Sequence, residues 1–204
     1  MKKKALIVLA DGFEEVEALV PADILRRAEV DVTIAGLGKD LVTSSHGVKI
    51  KTDMILADYD SLPDAIIFPG GMPGAENLAS SPEVKNFILK MNSKGKLIAA
   101  ICAAPALVLA PTGVLSGRKA TCYPGTEKNF STDIKFTKEK VVQDANIITS
   151  QGPGTTFAFG LKIAENLIGK TKADMVADHM LFTHAPEGHA RKGVDEWPSV
   201  QGSA

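Results

Sequence analysis

Four short runs of almost uninterrupted apolar residues constrain the fold of this chain more than any other feature. They lie at residues 5–10, 31–36, 64–69 and 97–101. Each run is five or six residues long and is bounded by turn residues. This pattern is typical of parallel strands that are covered by helices on both faces of a sheet.

Helical periodicity fills the segments between these runs. Helices are predicted over residues 14–28, 82–93, from Gly152 to about Ile168, and 174–182. Glu14 and Glu15 suit the start of the first helix, because carboxylates there complement the helix dipole. Pro21 predicts a kink or a break within it. Strands that alternate with helices predict an α/β fold with a doubly wound sheet.

The second half of the chain predicts shorter strands and a change of character near its end. Residues 119–122, 134–136 and 141–149 resemble strands, and residues 42–53 alternate like a small hairpin. A chain of 204 residues is of the size of one α/β domain. We expect a single domain over residues 1–182 and an irregular polar tail over 183–204.

Charge and cysteine usage exclude several classes of function. The formal net charge is −1, so no large positive field is available to bind nucleic acid or an anionic membrane. No segment approaches the roughly 20 apolar residues of a membrane-spanning helix. Two cysteines are too few for a disulfide framework, and the histidines show no metal-ligand spacing. We therefore expect a cytoplasmic protein without a metal site.

Cys102 lies where a predicted strand at 97–101 runs into a predicted helix. Ala100 and Ala104, two residues to either side, are small, which is the steric pattern of a nucleophile elbow. A thiol at a helix N-terminus faces unpaired N–H groups, so its thiolate is expected to be favoured. The N–H of Ala103 is placed to stabilise an oxyanion. The alternative is an inert buried cysteine, which is common for this residue type.

Two more segments follow predicted strands and are expected to meet Cys102 at one edge of the sheet. Gly70 and Gly71 form a loop whose backbone can approach a ligand closely and present N–H groups to an anion. Glu17 follows the first strand and is able to point back into the same crevice. A carboxyl group there can exchange a proton with the thiol or with a bound substrate.

Together these residues resemble the DJ-1/ThiJ/PfpI superfamily, and within it the branch of the Parkinson-associated deglycase and its bacterial relatives. The matching stretches are 10–17 (ADGFEEVE), 69–71 (PGG), 99–105 (AAICAAP) and 150–155 (SQGPGT). They occur in family order, and the resemblance covers about residues 4–182. It implies a flavodoxin-like sheet sandwiched by helices and a homodimer with the first helix at the interface.

The resemblance also implies roles for individual residues. Cys102 corresponds to the nucleophile and oxidation-sensitive thiol, and Glu17, in its protonated form, to the acid/base that donates a hydrogen bond to it. Gly71 and Ala103 correspond to the oxyanion N–H donors, with Gly70 beside the substrate pocket. Activities implied by the family are cofactor-free glyoxalase chemistry, deglycation of adducts, redox sensing and chaperone-like holding.

Three positions depart from patterns found in related proteins. Tyr123 stands where many relatives carry a histidine, and a phenol is a poorer base than an imidazole at neutral pH. Ala103 replaces the histidine that follows the cysteine in the protease-like branch, which disfavours a peptidase. His46 stands where relatives can carry an arginine that binds anions or bridges subunits, and it is a candidate for the substrate pocket.

Three functional hypotheses remain open at this stage. The first is an enzyme in which Cys102 and Glu17 act on reactive aldehydes or their glycated adducts. The second is a redox sensor or stress chaperone without turnover, in which a low-pKa Cys102 is oxidised in preference to Cys122. The third is an amidotransferase-like hydrolase, for which His184 and Glu187 are the faint signal.

Overall fold

A computed structural model describes residues 2–182 of the chain, and its sheets are built from short strands. The strands are β1 (Lys4–Leu9), β2 (Asp31–Gly36), β3 (Leu41–Thr43), β4 (Lys49–Lys51), β5 (Met54–Ile55), β6 (Ala65–Phe68), β7 (Leu97–Ile101), β8 (Lys119–Ala120), β9 (Lys135–Phe136), β10 (Val141–Asp144) and β11 (Ile147–Ser150). The four apolar runs thus form β1, β2, β6 and β7, as predicted. The predicted tail over residues 183–204 lies outside the described residues.

The helices flank this sheet. They are α1 (Glu15–Arg27), α2 (Gly74–Ala79), α3 (Pro82–Ser93), α4 (Thr156–Ile168) and α5 (Lys170–His179). The predicted bounds of α1 and α3 agree with the structure to within one residue, and Gly169 ends α4 as expected. Among the described residues, no helix is long and apolar enough to cross a membrane.

Seven strands form the main sheet in the order β10-β11-β7-β6-β1-β2-β5. All neighbouring pairs are parallel except β10 and β11. The central strands β7, β6 and β1 lie side by side, and their apolar side chains are buried. Their carboxyl ends, at Ile101, Phe68 and Leu9, therefore meet at one edge. The predicted mostly parallel, flavodoxin-like α/β fold is confirmed.

Three sequence-based expectations about secondary structure need correction. The expected break at Pro21 is wrong, because α1 continues through that residue and its buried face packs against α4, where Gly160 leaves room for close approach. Residues 141–149 form two antiparallel strands rather than one, since the chain turns at Ala145, which has φ +51°. The last helix begins at Lys170 rather than at residue 174.

Two small sheets lie outside the main one. Strands β3 and β4 form the predicted antiparallel hairpin, while β8 and β9 pair in parallel. The hairpin is tied to the turn between β1 and α1, because the side chain of Asp11 accepts a hydrogen bond from the N–H of Thr43 at 2.9 Å. This tie fixes the turn from which α1 presents its first residues to the edge of the sheet.

Candidate active site

Cys102 follows β7 directly and has a left-handed backbone conformation, with φ +63°. This region is strained for a residue with a side chain, and such strain is concentrated at functional sites. Hydrogen bonds hold the strained residue on both sides. The N–H of Cys102 donates to the carbonyl of Ser150 at 3.0 Å, and its carbonyl accepts from the N–H of Tyr123 at 2.7 Å. The predicted elbow is therefore present.

The prediction that the following helix favours the thiolate is wrong. Residues Pro105–Leu109 form a short π-helical segment rather than a regular α-helix. Cys102 is only 9% exposed, and burial together with the negative charge of Glu17 raises the pKa of the thiol to about 12. The N–H groups of Gly71 and Ala103 donate toward the sulfur and oppose this rise. The structure thus places both predicted N–H donors at the sulfur.

Glu17 is fully buried on the first turns of α1, with 0% of its surface exposed. Its Oε2 accepts a hydrogen bond from the N–H of Gly70 at 2.8 Å, whereas Oε1 is buried without a partner. Burial is the main cause that raises the pKa of this carboxyl to about 7, and the charge of Glu14 raises it further. Hydrogen bonds from Gly70 and Cys102 act in the opposite direction.

The carboxyl of Glu17 and the thiol of Cys102 form one coupled pair. The pKa of Glu17 is about 7 and that of the Cys102 thiol about 12, so the first proton leaves from Glu17 and the remaining proton lies mainly on the sulfur. When that proton lies on Glu17, its charge no longer opposes the thiolate, which is then stabilised by N–H donors. A pair of this kind can supply a nucleophile and an acid/base within a single site.

The glycine loop after β6 allows this close assembly. A Cβ atom on Gly70 would lie 2.6 Å from the Cβ of Cys102 and 3.0 Å from the backbone nitrogen of Ala103. Gly71 has φ +85°, which only glycine adopts without strain. The loop therefore reaches the cysteine because neither position carries a side chain.

A cleft of about 670 Å³ opens beside Cys102. Tyr123 lies in its wall, 49% exposed, with its ring facing Gly152, where an added Cβ would be 3.3 Å from Cδ2. Glu76 and Lys128 also line the cleft and give it one charge of each sign. Of the residues expected at the substrate pocket, Tyr123 lines the cleft, as do the predicted oxyanion donors Gly71 and Ala103. Gly70 does not line the cleft and packs instead against the Cβ of Cys102.

The prediction that His46 lines the pocket is wrong for the cleft beside Cys102. His46 lies in the exposed turn between β3 and β4, where its Nδ1 is 3.1 Å from Oε2 of Glu15. It is not among the residues that line the cleft, and His179 on α5 is not either. His184, which the amidotransferase hypothesis requires, lies outside the described residues.

One group of potential metal-ligating side chains occurs within residues 2–182. Ligand atoms of Glu14, Glu15 and His46 lie within 4.8 Å of one another. Each side chain already has a structural role, because Glu14 caps α1 and Glu15 pairs with His46. We therefore assign these residues to a helix cap and an ion pair.

Two contributors to the site were not identified from the sequence. The sequence indicates Glu14 only as a favourable helix start, yet Glu14 makes hydrogen bonds to both Glu17 and the glycine loop. The sequence indicates Gly152 only as the start of a helical segment, yet an added Cβ there would lie 3.9 Å from the unpartnered Oε1 of Glu17. The signal for Gly152 was present in the stretch 150–155, which recurs in related proteins.

The fold and the site define a flavodoxin-like α/β protein with a cysteine at a nucleophile elbow and a buried glutamate beside it. Comparison with known proteins agrees with this class. The model of the DJ-1/PfpI family matches residues 3–166, and the chain belongs to that family.

Relatives of known name share most of the chain. Protein dj-1beta of Drosophila melanogaster is 44% identical over 187 residues, which is 90% of this chain and 100% of that protein. A crystal structure of Drosophila melanogaster DJ-1beta has a TM-score of 0.85 at 43% identity, covering 90% of this chain and 100% of that one.

Two further relatives carry informative names. Glutathione-independent glyoxalase DJR-1.2 of Caenorhabditis elegans is 37% identical over 175 residues, 85% of this chain and 93% of that protein. A structure described as oxidised DJ-1 of Toxoplasma gondii has a TM-score of 0.84 at 36% identity, covering 89% of this chain and 100% of that one.

Proposed function

We propose that this protein is a cofactor-free, cysteine-dependent enzyme that acts on small reactive aldehydes or on their glycated adducts. One observation carries the proposal. The sulfur of Cys102 lies at a strained elbow between two backbone N–H donors and a buried carboxyl group whose pKa is raised to about 7. The name of the Caenorhabditis elegans relative, a glutathione-independent glyoxalase, points to the same chemistry.

The reaction begins when the thiolate of Cys102 attacks the aldehyde carbon of a 2-oxoaldehyde. The C–S bond forms, the carbonyl π electrons move to oxygen, and the oxyanion is held by the N–H groups of Gly71 and Ala103 until Glu17 supplies a proton. A glycated amine or thiol reaches the same hemithioacetal by another first step. The thiolate of Cys102 attacks the adduct carbon, the bond from that carbon to nitrogen or sulfur breaks, and the amine or thiol leaves with a proton from Glu17.

The second half of the reaction is an internal oxidation and reduction. Glu17 removes the C–H proton of the hemithioacetal, and a proton returns to the neighbouring carbonyl carbon. The former aldehyde carbon becomes a thioester, and the neighbouring carbon becomes an alcohol, so no external oxidant or reductant is consumed. Water then cleaves the thioester to a hydroxy acid and restores the thiol of Cys102.

Consumption of methylglyoxal by the purified protein tests this function. Cys102→Ser is expected to abolish turnover, and Glu17→Ala to reduce it about 100-fold or more, the usual loss for a general acid/base. Cys122→Ala is the matched control, because Cys122 is a buried thiol that does not line the cleft. Equal rates in all four proteins would exclude the proposal. A parallel assay on a peptide modified by methylglyoxal shows whether the protein acts on the adduct as well as on the free aldehyde.

A redox sensor is the second candidate. Peroxide transfers one oxygen atom to the thiolate of Cys102 and leaves as water, and the N–H groups of Gly71 and Ala103 are placed to hold the new oxygen atoms. The Toxoplasma gondii relative described as oxidised favours this candidate. Mild peroxide should modify Cys102 ahead of Cys122 by mass spectrometry, and equal modification would contradict sensing.

We also propose that the protein works as a homodimer in the cytoplasm. Helix α1 exposes Val16 and Leu19 by 39% and 40%, and Val48, in the β3–β4 turn, is 45% exposed. Val16 and Leu19 lie three residues apart and so share one face of α1, and exposed apolar side chains on one helix face are typical of a surface that a second subunit covers.

A further inference from the structure

Glu14 forms a closed ring of three hydrogen bonds with Glu17 and Gly70. The N–H of Glu14 donates to the carbonyl of Gly70 at 3.0 Å. Oε2 of Glu14 accepts from the N–H of Glu17 at 2.8 Å, which makes Glu14 the N-cap of α1. Oε2 of Glu17 then accepts from the N–H of Gly70 at 2.8 Å. The ring fixes the acid/base and the glycine loop relative to each other.

Glu14 and the glycine loop are packed too closely to move independently of each other. The backbone of Gly71 packs so closely against Glu14 and Gly12 that a Cβ atom there would overlap both. Gly71 is also one of the N–H donors to the sulfur of Cys102. A displacement of Glu14 would therefore be transmitted to the oxyanion donor as well as to Glu17.

Glu14 also contributes a charge. It lies one helical turn before Glu17, and its carboxylate is among the causes that raise the pKa of Glu17. The other groups facing Glu17 are the thiol of Cys102 after β7 and the N–H of Gly70 after β6, while Gly152 and the ring of Tyr123 border the unpartnered Oε1. Glu14 is the only charged group among these neighbours in the described part of the chain.

We propose that Glu14 is a positioning residue of the site: its two hydrogen bonds, which close the ring with Glu17 and Gly70, hold Glu17 and the Gly70–Gly71 loop in register with Cys102, and its charge sets the pH range in which Cys102 becomes nucleophilic. The inference rests on the proposed role of the Cys102–Glu17 pair. Glu14 touches neither sulfur nor substrate, so it acts through Glu17.

The sign of the charge effect does not depend on which atom keeps the last proton. Ionisation of either Glu17 or Cys102 adds a negative charge near Glu14, and a carboxylate at Glu14 opposes both. Removing that charge should therefore lower the pH at which the pair loses its first proton. For carboxylates one helical turn apart and partly buried, the shift is about half a pH unit.

The experiment measures the rate at which iodoacetamide alkylates Cys102 between pH 5 and 9, by mass spectrometry of the Cys102 peptide. Glu14→Gln removes the charge and keeps an amide oxygen that caps the N–H of Glu17. It should move the midpoint, expected near pH 7 in the wild type, down by about half a unit, so that alkylation at pH 6 becomes about threefold faster. Glu17→Gln should remove the midpoint altogether.

Glu15→Gln is the matched control, because it removes a neighbouring carboxylate that pairs with His46 and is not among the causes of the Glu17 shift. Its midpoint should equal that of the wild type. If Glu14→Gln does not fold, Glu14→Ser supplies the same cap from a residue that is preferred at this position. An unchanged midpoint in a folded Glu14 variant, or equal shifts in the Glu14 and Glu15 variants, would overturn the proposal.

Alkylation requires no aldehyde, so this test and the turnover test fail separately. A protein that consumes no methylglyoxal but shows the shift retains the inference about Glu14 and loses the proposed reaction. If the protein consumes methylglyoxal but Glu14→Gln does not shift the alkylation midpoint, the proposed reaction stands and Glu14 serves only as the helix cap.

Discussion

Replacing Glu17 by glutamine is expected to stabilise the folded protein above pH 7 and to change its stability little near pH 4. The carboxyl of Glu17 is fully buried, and its pKa rises from 4.5 to about 7 on folding. An acid whose pKa is higher in the folded state binds its proton more tightly there. Folding is therefore opposed progressively as pH rises from 4.5 to 7, and the full cost applies above 7.

The magnitude follows from the shift. A rise of roughly 2.5 pKa units, at about 1.4 kcal/mol per unit, corresponds to about 3 kcal/mol at pH 8. Glutamine has the shape of the protonated acid and retains an oxygen that can accept the hydrogen bond from Gly70. It should avoid this cost at every pH. The difference in unfolding free energy between Glu17→Gln and the wild type should grow by about 3 kcal/mol from pH 4.5 to pH 8.

Urea unfolding followed by circular dichroism at pH 4.5, 5.5, 6.5 and 8 measures this difference directly. Glu29→Gln is the control, since Glu29 lies exposed after the end of α1 and remains in contact with water in both states. Its difference from the wild type should be nearly flat with pH. A flat difference for Glu17→Gln, or one that falls with rising pH, would refute the argument that burial dominates the titration of Glu17.

Two further predictions concern the glycine loop and the apolar face of α1. Gly70→Ala should destabilise the protein by about 1–3 kcal/mol in thermal or urea unfolding, because the new Cβ would lie 2.6 Å from the Cβ of Cys102. Gly154→Ala, which meets nothing within 4 Å, should change stability by less than about 0.5 kcal/mol, and equal losses would contradict the steric account. Leu19→Glu should shift sedimentation from dimer to monomer, because it places a charge on the proposed interface. An unchanged dimer would place the interface elsewhere.

The cost of burying Glu17 bears on why the residue is an acid at all. An uncharged side chain of the same shape should give a more stable protein at neutral pH. A destabilising group is retained where function requires it, and a raised pKa is what an acid/base needs to work near pH 7. A more stable but inactive Glu17→Gln would show this trade-off in a single residue.

Much of the architecture followed from local patterns in the sequence. The apolar runs predicted strands β1, β2, β6 and β7 because buried parallel strands are apolar on both faces. Parallel strands end at the same edge of a sheet, so the meeting of Cys102, the glycine loop and the start of α1 was predictable as well. Alanines around Cys102 predicted the elbow because a tight turn excludes larger neighbours.

Other features depended on residues that are remote in sequence. The division of residues 141–149 into β10 and β11 follows from the pairing of β11 with β7, which no local pattern encodes. The continuity of α1 through Pro21 depends on packing against α4. His46 resembled a pocket residue from its position in related chains, but the β3–β4 hairpin places it beside Glu15.

The sequence by itself determined the class of fold, the position of the elbow and the identity of the cysteine and the glutamate. Only the tertiary structure decided their charge states. The dipole argument predicted a favoured thiolate, because it used only the residues next to Cys102 in the chain. Burial and Glu17, 85 positions away in sequence, raise the pKa of the thiol, because ionisation depends on the groups that surround a residue in space.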